Sequence, residues 1–356
     1  MENKKTYYLD FKKVNSGKSF EIDIQEFDAI KYQVPQLNKA SCSMKVPITV
    51  DQMIDKFKTD GWVFSEGEEI TCRELLREVN FYTLKHYAKQ THLKSFVATN
   101  SVYNFDLFLQ NSLQVLTSMI EKFLRTVVVD SLSLSYKQED AIYDHAQFYL
   151  DESFYFSEKG KHRKTAQRRK DIEAIQYSFF KTIEDNKKYP PVAKELNSYG
   201  GVSSWVLFDL ITFGQLSFFF GKLVTNKKKI VTRALDGMNS SDERITDDLL
   251  SSWMNAIRAL RNKVSHGMKI YGEPFTVLAK IHDGDKEYLR QVSEWNQNHL
   301  GNVLLAMRRI VMCMSLKKQE FWNKKIAEIS SQIIDNEYLS ATSLGLTEDW
   351  IEYFSI

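Results

Sequence analysis

The chain has 356 residues and a net charge of only +2, from 48 Lys and Arg against 46 Asp and Glu, which excludes a globally basic nucleic-acid coat. Only 14 Gly and 5 Pro argue against a loop-rich β architecture and for helices, while 43% hydrophobic residues with 23 Phe and 17 Tyr supply ample core. With no basic-then-apolar leader and no run of about 18 apolar residues, neither a signal peptide nor a membrane span is expected. The three cysteines, Cys42, Cys72 and Cys313, lack metal spacing and fit a reducing cytoplasm.

In chain order, residues 1–45 form an extension in which Tyr7-Tyr8-Leu9-Asp10-Phe11 and Phe20-Glu21-Ile22-Asp23-Ile24 alternate like short strands. This predicts a small appendage or hairpin ahead of an all-α domain over 46–356. A helix begins near Thr49 and ends at Gly61; a second runs from about Thr71 to Gln90, and a third, strongly apolar on one face, from about Ser101 to Val129. Glu139 to Tyr149 reads as another helix, and a basic helix covers about Arg163 to Glu184 until Tyr189-Pro190-Pro191 breaks it. Trp205 to Phe220, interrupted by Asp209 and Gln215, reads as one buried helix. Asn226–Ala234 and a polar loop at Asp236–Asp242 lead to the clearest amphipathic helix, and Asp285 to Leu316 and Lys318 to Ile334 read as two more. There is no internal repeat and no low-complexity linker.

That amphipathic helix repeats Leu249, Leu250, Trp253, Met254, Ile257, Leu260 and Val264 at three- and four-residue steps, and Gly267 stops it. Its last turn carries Arg261-Asn262-Lys263-Val264-Ser265-His266. A guanidinium grips two phosphate oxygens in a planar fork, and an imidazole moves a proton near neutral pH. No carboxylate lies inside the motif to hold a metal, so the pattern suggests metal-independent RNA cleavage with the 2′-OH as nucleophile. The bland alternative is a surface ion pair for Arg261 and a helix-end cap for His266. A five-residue step rotates roughly 140° at 3.6 residues per turn, so the two side chains do not share a face of a regular helix. Either the helix loosens at Ser265–Gly267, or the same motif of a second subunit completes the site.

Charge is clustered. Lys159 to Lys170 holds seven cations and no acid, among them Lys161, Arg163, Lys164, Arg168, Arg169 and Lys170. Lys227, Lys228 and Lys229 with Arg233 form a second group at a helix start. Both are either solvated helix faces or, if they face the Arg–His cleft, the grip on an RNA backbone. Glu121 and Arg125 are spaced for an ion pair along one helix face. Asp106 could cap the long helix or orient Arg261. His282-Asp283-Gly284-Asp285 has metal-like letters but reads as a turn, so no metal and no cofactor is expected.

Arg-Asn-x-x-x-His resembles the ribonuclease signature of the HEPN superfamily, all-α proteins whose composite site forms where two such motifs meet. Further segments resemble the Abi-like family, bacterial abortive-infection proteins of the AbiD/AbiF type. These are Asn80-Phe81-Tyr82-Thr83-Leu84 with Tyr87, Tyr103-Asn104-Phe105-Asp106 and Ile120-Glu121-Lys122-Phe123-Leu124-Arg125. In the same order follow the Trp-containing run Ser204 to Ser217 and Leu344-Gly345-Leu346-Thr347-Glu348-Asp349-Trp350, so that the likeness spans roughly 46–352. Two departures stand out: Ser265 replaces a usual alanine, and Lys269 stands where the family has a basic residue followed by an aromatic–Asn pair, which puts its phosphate grip in doubt.

The resemblance implies a HEPN-like helical bundle with additional N-terminal and C-terminal helices. It implies an endoribonuclease of anti-phage defence acting as a homodimer, with Arg261 and His266 catalytic, Asn262 setting their geometry and Glu121 and Arg125 buttressing the cleft. RNA is the expected partner, as substrate and as a bound non-coding RNA that restrains activity in the manner of a toxin–antitoxin pair. Two readings from other classes stand beside it: an RNA-binding module that does not cut, and a helical adaptor that recognises a phage protein.

Overall fold

The computed structural model describes residues 8–12, 19–23, 47–91, 93–136, 143–157, 160–239, 244–291, 298–347 and 349–356. The chain divides into two units, Met1–Met53 and Ile54–Ile356. In the first, β1 (Tyr8–Lys12) pairs antiparallel with β2 (Ser19–Asp23), Tyr8 opposite Asp23 and Lys12 opposite Ser19. This is the hairpin that the alternation predicts.

From Val50 on, the regular elements among the described residues are helices, as the composition predicts. Helix α1 (Val50–Thr59) stops where Gly61 adopts φ 92°. The helix expected over Thr71–Gln90 is two: α2 (Glu66–Glu78), opened by a Ser65/Glu68 capping box, and α3 (Phe81–Thr91). Val79 is extended there, and the Asn80 side chain accepts the Tyr82 amide at 2.8 Å, a local bond that competes with the helix ladder. Next comes α4, Phe96–Ser135, N-capped by Ser95 and longer at both ends than its apolar stripe indicates. Its 40 residues span roughly 60 Å at 1.5 Å per residue.

The described part of the segment Glu139–Tyr149 is a 3-10 turn, His145–Leu150, and its first residues lie outside the described chain. The basic helix is α5 (Ala166–Asp185). Pro190 and Pro191 end that run by opening α6 (Pro190–Tyr199), since a first-turn proline forfeits no helix bond. The apolar stretch 205–220 is also two helices, α7 (Ser204–Leu210) and α8 (Phe213–Lys222). Gln215 causes the division: it forms a capping box with Thr212 and so starts a new helix. Then come α9 (Thr225–Met238), α10 (Asp247–Ser265), α11 (Lys286–Gln291), α12 (Leu300–Val311), α13 (Leu316–Ile334) and α14 (Trp350–Phe354). The long helix expected over Asp285–Leu316 is therefore α11 and α12, with 292–297 outside the described residues.

Helix α4 is the spine, packing against α3, α7, α9, α10, α12 and α13. One side of the core is aromatic: Phe148, Tyr149, Phe154, Phe179, Phe208 and Phe219 are all buried, and Phe208 and Phe219 meet edge-on at 5.0 Å. On the other side α12 closes against the turn at Gly345; a Cβ on Gly301 would stand 2.5 Å from the Gly345 carbonyl oxygen, so only glycine fits. Helix α10 turns Leu250, Trp253, Met254, Ile257, Leu260 and Val264 into this core and packs on α4, α8, α9 and α12. Burying those side chains fixes its rotation, and that decides where Arg261 and His266 point.

Candidate active site

Helix α10 ends in a Schellman motif: Met268 N–H donates to the Lys263 carbonyl at 2.9 Å and Gly267 N–H to that of Val264 at 3.1 Å, with Gly267 at φ 61°. The His266 amide still donates to Asn262 at 3.1 Å, so the helix does not loosen before His266. The helix thus runs regularly to Ser265 and ends there, with His266 as its C-cap at φ −98° and ψ 9°. Asn262, Ser265 and His266 are exposed, and Arg261 is part-buried. Among the described residues the His266 imidazole makes no hydrogen bond or ion pair.

Arg261 leans on a polar stripe of α4. Its Nε lies 3.5 Å from Glu121 Oε2 without making a hydrogen bond. Glu121 is buried and pairs one turn on with Arg125. Arg125 also donates from Nη1 to the carbonyls of Phe208 at 3.2 Å and Asp209 at 2.7 Å, tying α4 to the end of α7. The ion pair expected between Glu121 and Arg125 is thus present, and its carboxylate also faces Arg261. Further up the stripe, Gln114 accepts the Ser265 hydroxyl at 3.0 Å.

Arg258, one turn before Arg261, carries no motif letter, and sequence reasoning passes over it. Its Cδ would lie 3.8 Å from a Cβ on Gly214, at the start of α8. The Nε–H groups of Arg125, Arg258 and Arg261 are all buried without an acceptor. Among the described residues no acceptor takes the Nη hydrogens of Arg258 or Arg261. A buried donor without a partner is costly, and guanidinium forks left uncommitted are suited to a phosphate.

The two basic groups of the sequence meet. His162 Nε2 lies 3.0 Å from Thr225 Oγ1, and Arg168 donates to the carbonyls of Tyr155 at 2.8 Å and Lys222 at 2.6 Å. Burial, then the neighbouring cations Arg168, Lys161 and Lys228, hold the His162 imidazole below its ordinary pKa. Several of these cations serve the fold: Lys164 pairs with Glu152, and Lys227 lies 4.0 Å over the Phe154 ring, its pKa lowered by burial. Lys228, also lowered by burial, faces Asp247 and Asp248 in the first turn of α10. By contrast Lys161, Arg163, Arg169, Lys170, Lys229 and Arg233 are exposed and make no ion pair among the described residues.

This patch does not sit at the Arg–His motif. It lies by Asp247, whereas His266 follows Ser265 at the other end of α10. Eighteen residue steps of 1.5 Å put roughly 27 Å between the two helix ends. Of the two positions open to the basic run, the packing of α5 and α9 gives it the one away from the Arg–His motif, by the opposite end of α10.

Lys269, a candidate phosphate contact, is turned inward. Its side chain is 9% exposed, 3.3 Å from Glu273 and 4.9 Å from the Tyr87 ring centre, and burial lowers its pKa. Its ammonium is engaged by Glu273 rather than held out to solvent. Asp106 neither caps α4 nor touches Arg261. Fully buried in mid-helix, it accepts from Tyr87 Oη (2.6 Å), Gln110 Nε2 (2.8 Å), Ile270 N (3.0 Å) and Tyr271 N (2.6 Å). It pins the chain that leaves the motif.

Asp285, in the segment with metal-like letters, is likewise structural: Arg309 holds it at 2.6 Å and Tyr353 Oη donates to it at 2.6 Å. No cluster of His, Cys, Asp and Glu fit for a metal occurs among the described residues. Burial pushes the Cys72 and Cys313 thiols up to about 12, so neither is a thiolate near neutrality. None of the helices among the described residues is long and apolar enough to cross a membrane.

Fold and site together define an all-α protein with an arginine cluster at one end of its motif helix and a separate basic patch at the other. A family model for Abi-like proteins matches residues 74–272, more than half of the chain, and the chain belongs to that family. The match takes in Glu121, Arg125, Trp205 and the Arg261–His266 motif, and it associates the chain with abortive-infection defence. Comparison with curated proteins and with solved structures returned no significant match.

Proposed function

We propose that the protein is a metal-independent endoribonuclease of the HEPN type, acting in abortive infection. One observation carries the reading: Arg261 is steadied by a buried carboxylate that leaves its fork free, and it shares a rigid helix end with an unpaired, exposed histidine. Arg261 holds the scissile phosphate and stabilises the charge that builds on its oxygens, assisted by Arg258. The RNA 2′-oxygen attacks phosphorus and the bond to the 5′-oxygen breaks. One His266 takes the 2′-OH proton as base, and a proton delivered to the leaving 5′-oxygen completes the balance. The products are a 2′,3′-cyclic phosphate and a 5′-hydroxyl, and Asn262 orients the two catalytic groups.

Because Arg261 and His266 look away from each other within one chain, a second copy supplies the missing partner. The surface beside His266 suits that role: Val115, next to Gln114, is 47% exposed and Met268 is 51% exposed. RNA is the substrate and the class of molecule suited to restrain the enzyme. The test offers a labelled single-stranded RNA in EDTA to wild type, Arg261→Ala, His266→Ala and Arg258→Ala. The first two variants should lose cleavage by roughly 100-fold or more, on the order of acid–base contributions, and Arg258→Ala should lose less. A fully active Arg261→Ala/His266→Ala double variant would end the proposal.

The remote basic patch favours a second reading, an RNA-binding module that does not cut. In that case no cyclic-phosphate ends form, and binding survives His266→Ala with its salt dependence unchanged.

A further inference from the structure

Trp205 contributes little to the core. It lies in the first turn of α7, is 54% exposed, and its indole N–H has no acceptor among the described residues. It stands where two clefts meet. The larger, about 450 Å³, also reaches Tyr199. The smaller, about 180 Å³, is lined by Arg125, Asp130, Phe208 and Asp209 besides Trp205 itself.

Arg125 joins this smaller cleft to the arginine cluster, since the same guanidinium that lines it pairs with Glu121, and Glu121 lies 3.5 Å from Arg261. An RNA chain whose scissile phosphate rests on Arg261 therefore has an exposed indole within reach of a neighbouring base. The cleft's own charge decides what enters. The carboxylates of Asp130 and Asp209 are exposed and make no hydrogen bond or ion pair among the described residues. Two free carboxylates repel a phosphate, so the backbone does not run through the cleft. A carboxylate accepts N–H groups from a base edge.

We propose that this cleft is a nucleobase subsite, in which Trp205 stacks on the base beside the scissile phosphate and Asp130 and Asp209 select guanine. Guanine presents N1–H and the 2-amino group side by side, two parallel donors that one carboxylate receives. Uracil offers a single N–H between two carbonyl oxygens, which a carboxylate repels. Stacking on an aromatic side chain is tolerant of sequence, so the indole supplies affinity and the carboxylates supply choice. The inference rests on the ribonuclease reading for the ligand being RNA.

The test uses the full chain carrying His266→Ala, so that binding is read without cleavage. Fluorescein-labelled uridine heptamers with a central guanosine, inosine or uridine are titrated by anisotropy. The guanosine oligomer should bind tightest, with inosine, which lacks the 2-amino group, between it and uridine. Trp205→Ala should weaken the guanosine oligomer about 5- to 100-fold, the range of one lost base stack, and Trp205→Phe should restore most of it. Asp130→Asn with Asp209→Asn should bring guanosine and inosine together.

Trp205 is exposed, so an unchanged far-ultraviolet spectrum checks that its variants fold. Equal affinity of Trp205→Ala and its parent for the guanosine oligomer overturns the subsite, and equal affinity of the parent for guanosine and uridine overturns the selection. Neither result touches wild-type cleavage, which is scored separately. Failure of the parent to bind any oligomer removes the subsite and the RNA reading together.

Discussion

Asp106 is the sharpest place to test how the motif is held. Its Oδ1 takes the amides of Ile270 and Tyr271, and its Oδ2 takes Tyr87 Oη and Gln110 Nε2. Burial, reinforced by the Asp106 charge, pushes the Tyr87 phenol well above its ordinary pKa, so it stays a donor. Asp106→Ala strands both amides and the phenol in the core. At about 1–3 kcal/mol per stranded buried donor, and less than additive for one network, the loss comes to about 4 kcal/mol. Asp106→Asn keeps an oxygen for the two amides but turns an NH2 group toward Tyr87 and Gln110, which should cost about half as much. Tyr87→Phe removes one donor and leaves the carboxylate three others, a loss of about 1 kcal/mol.

Thermal unfolding followed by circular dichroism reads the series. At about 2 °C per kcal/mol for a large domain, Asp106→Ala should melt roughly 8 °C below wild type, with Asp106→Asn midway. Cleavage assayed well below those temperatures should be spared in Asp106→Asn and impaired in Asp106→Ala, because only the latter releases Ile270 and Tyr271. Equal destabilisation by Asn and Ala, or a loss under about 1 kcal/mol for Ala, would refute the accounting.

Two further outcomes follow from the charges. Neutralising Lys161, Arg163, Arg169, Lys170 and Lys229 together should flatten the salt dependence of RNA binding by about 0.7 in log–log slope for each phosphate that is no longer neutralised. RNAs too short to reach from His266 to the patch should be unaffected, and an equal loss for short and long RNAs would contradict the separation of the two sites. At the base of the patch, the hydrogen bond from Lys222, then that from Gln167, holds the Asp171 carboxyl below its ordinary 3.8. A depressed carboxylate contributes stability that is present above its unfolded pKa and lost as pH falls through the folded one. The stability gap between wild type and Asp171→Asn should therefore stay level from neutrality to about pH 5 and shrink below about pH 4; a gap that persists at lower pH would count against the ion pair.

What the sequence reveals and what it hides divide along physical lines. The apolar stripe of α10 and its stop at Gly267 are legible, because a 3.6-residue period and a left-handed glycine are local properties. So is the β1–β2 hairpin. The break between α7 and α8 is legible in principle: Thr212 and Gln215 have capping-box spacing, but inside an apolar run Gln215 reads as a blemish. Asp106 is not legible, since its amide partners stand 164 and 165 residues away and nothing around it announces a mid-helix acceptor. Arg258 escapes notice because one arginine on a charged helix face looks like any other. The meeting of the two basic groups depends on how α5 and α9 pack, which no spacing along the chain encodes.

The placement of α10 explains how the Arg–His motif can be held at a helix end, where frayed carbonyls and exposure usually bring mobility. Asp106, Gln110, Gln114, Glu121 and Arg125 recur along α4 at helical steps, and Leu109, Leu113, Leu116, Ile120 and Leu124 between them anchor the helix in the core. Each of these polar residues bonds to the end of α10, to the chain that follows it, to the α7 junction or to a neighbour in the stripe. Burying polar groups in such a row costs desolvation that their mutual bonds offset, so what its members chiefly do is hold α10 at one angle. Under the proposed function, what they hold is only half of a reacting geometry. Glu121 draws Arg261 inward while His266 faces out, roughly 140° around the helix. Groups that act on one phosphodiester must converge to about 3–3.5 Å from the reacting atoms. On the ribonuclease reading, a helix end that keeps its own two groups apart meets that requirement against another surface, and the exposed face bearing His266, Val115 and Met268 is the one available to it.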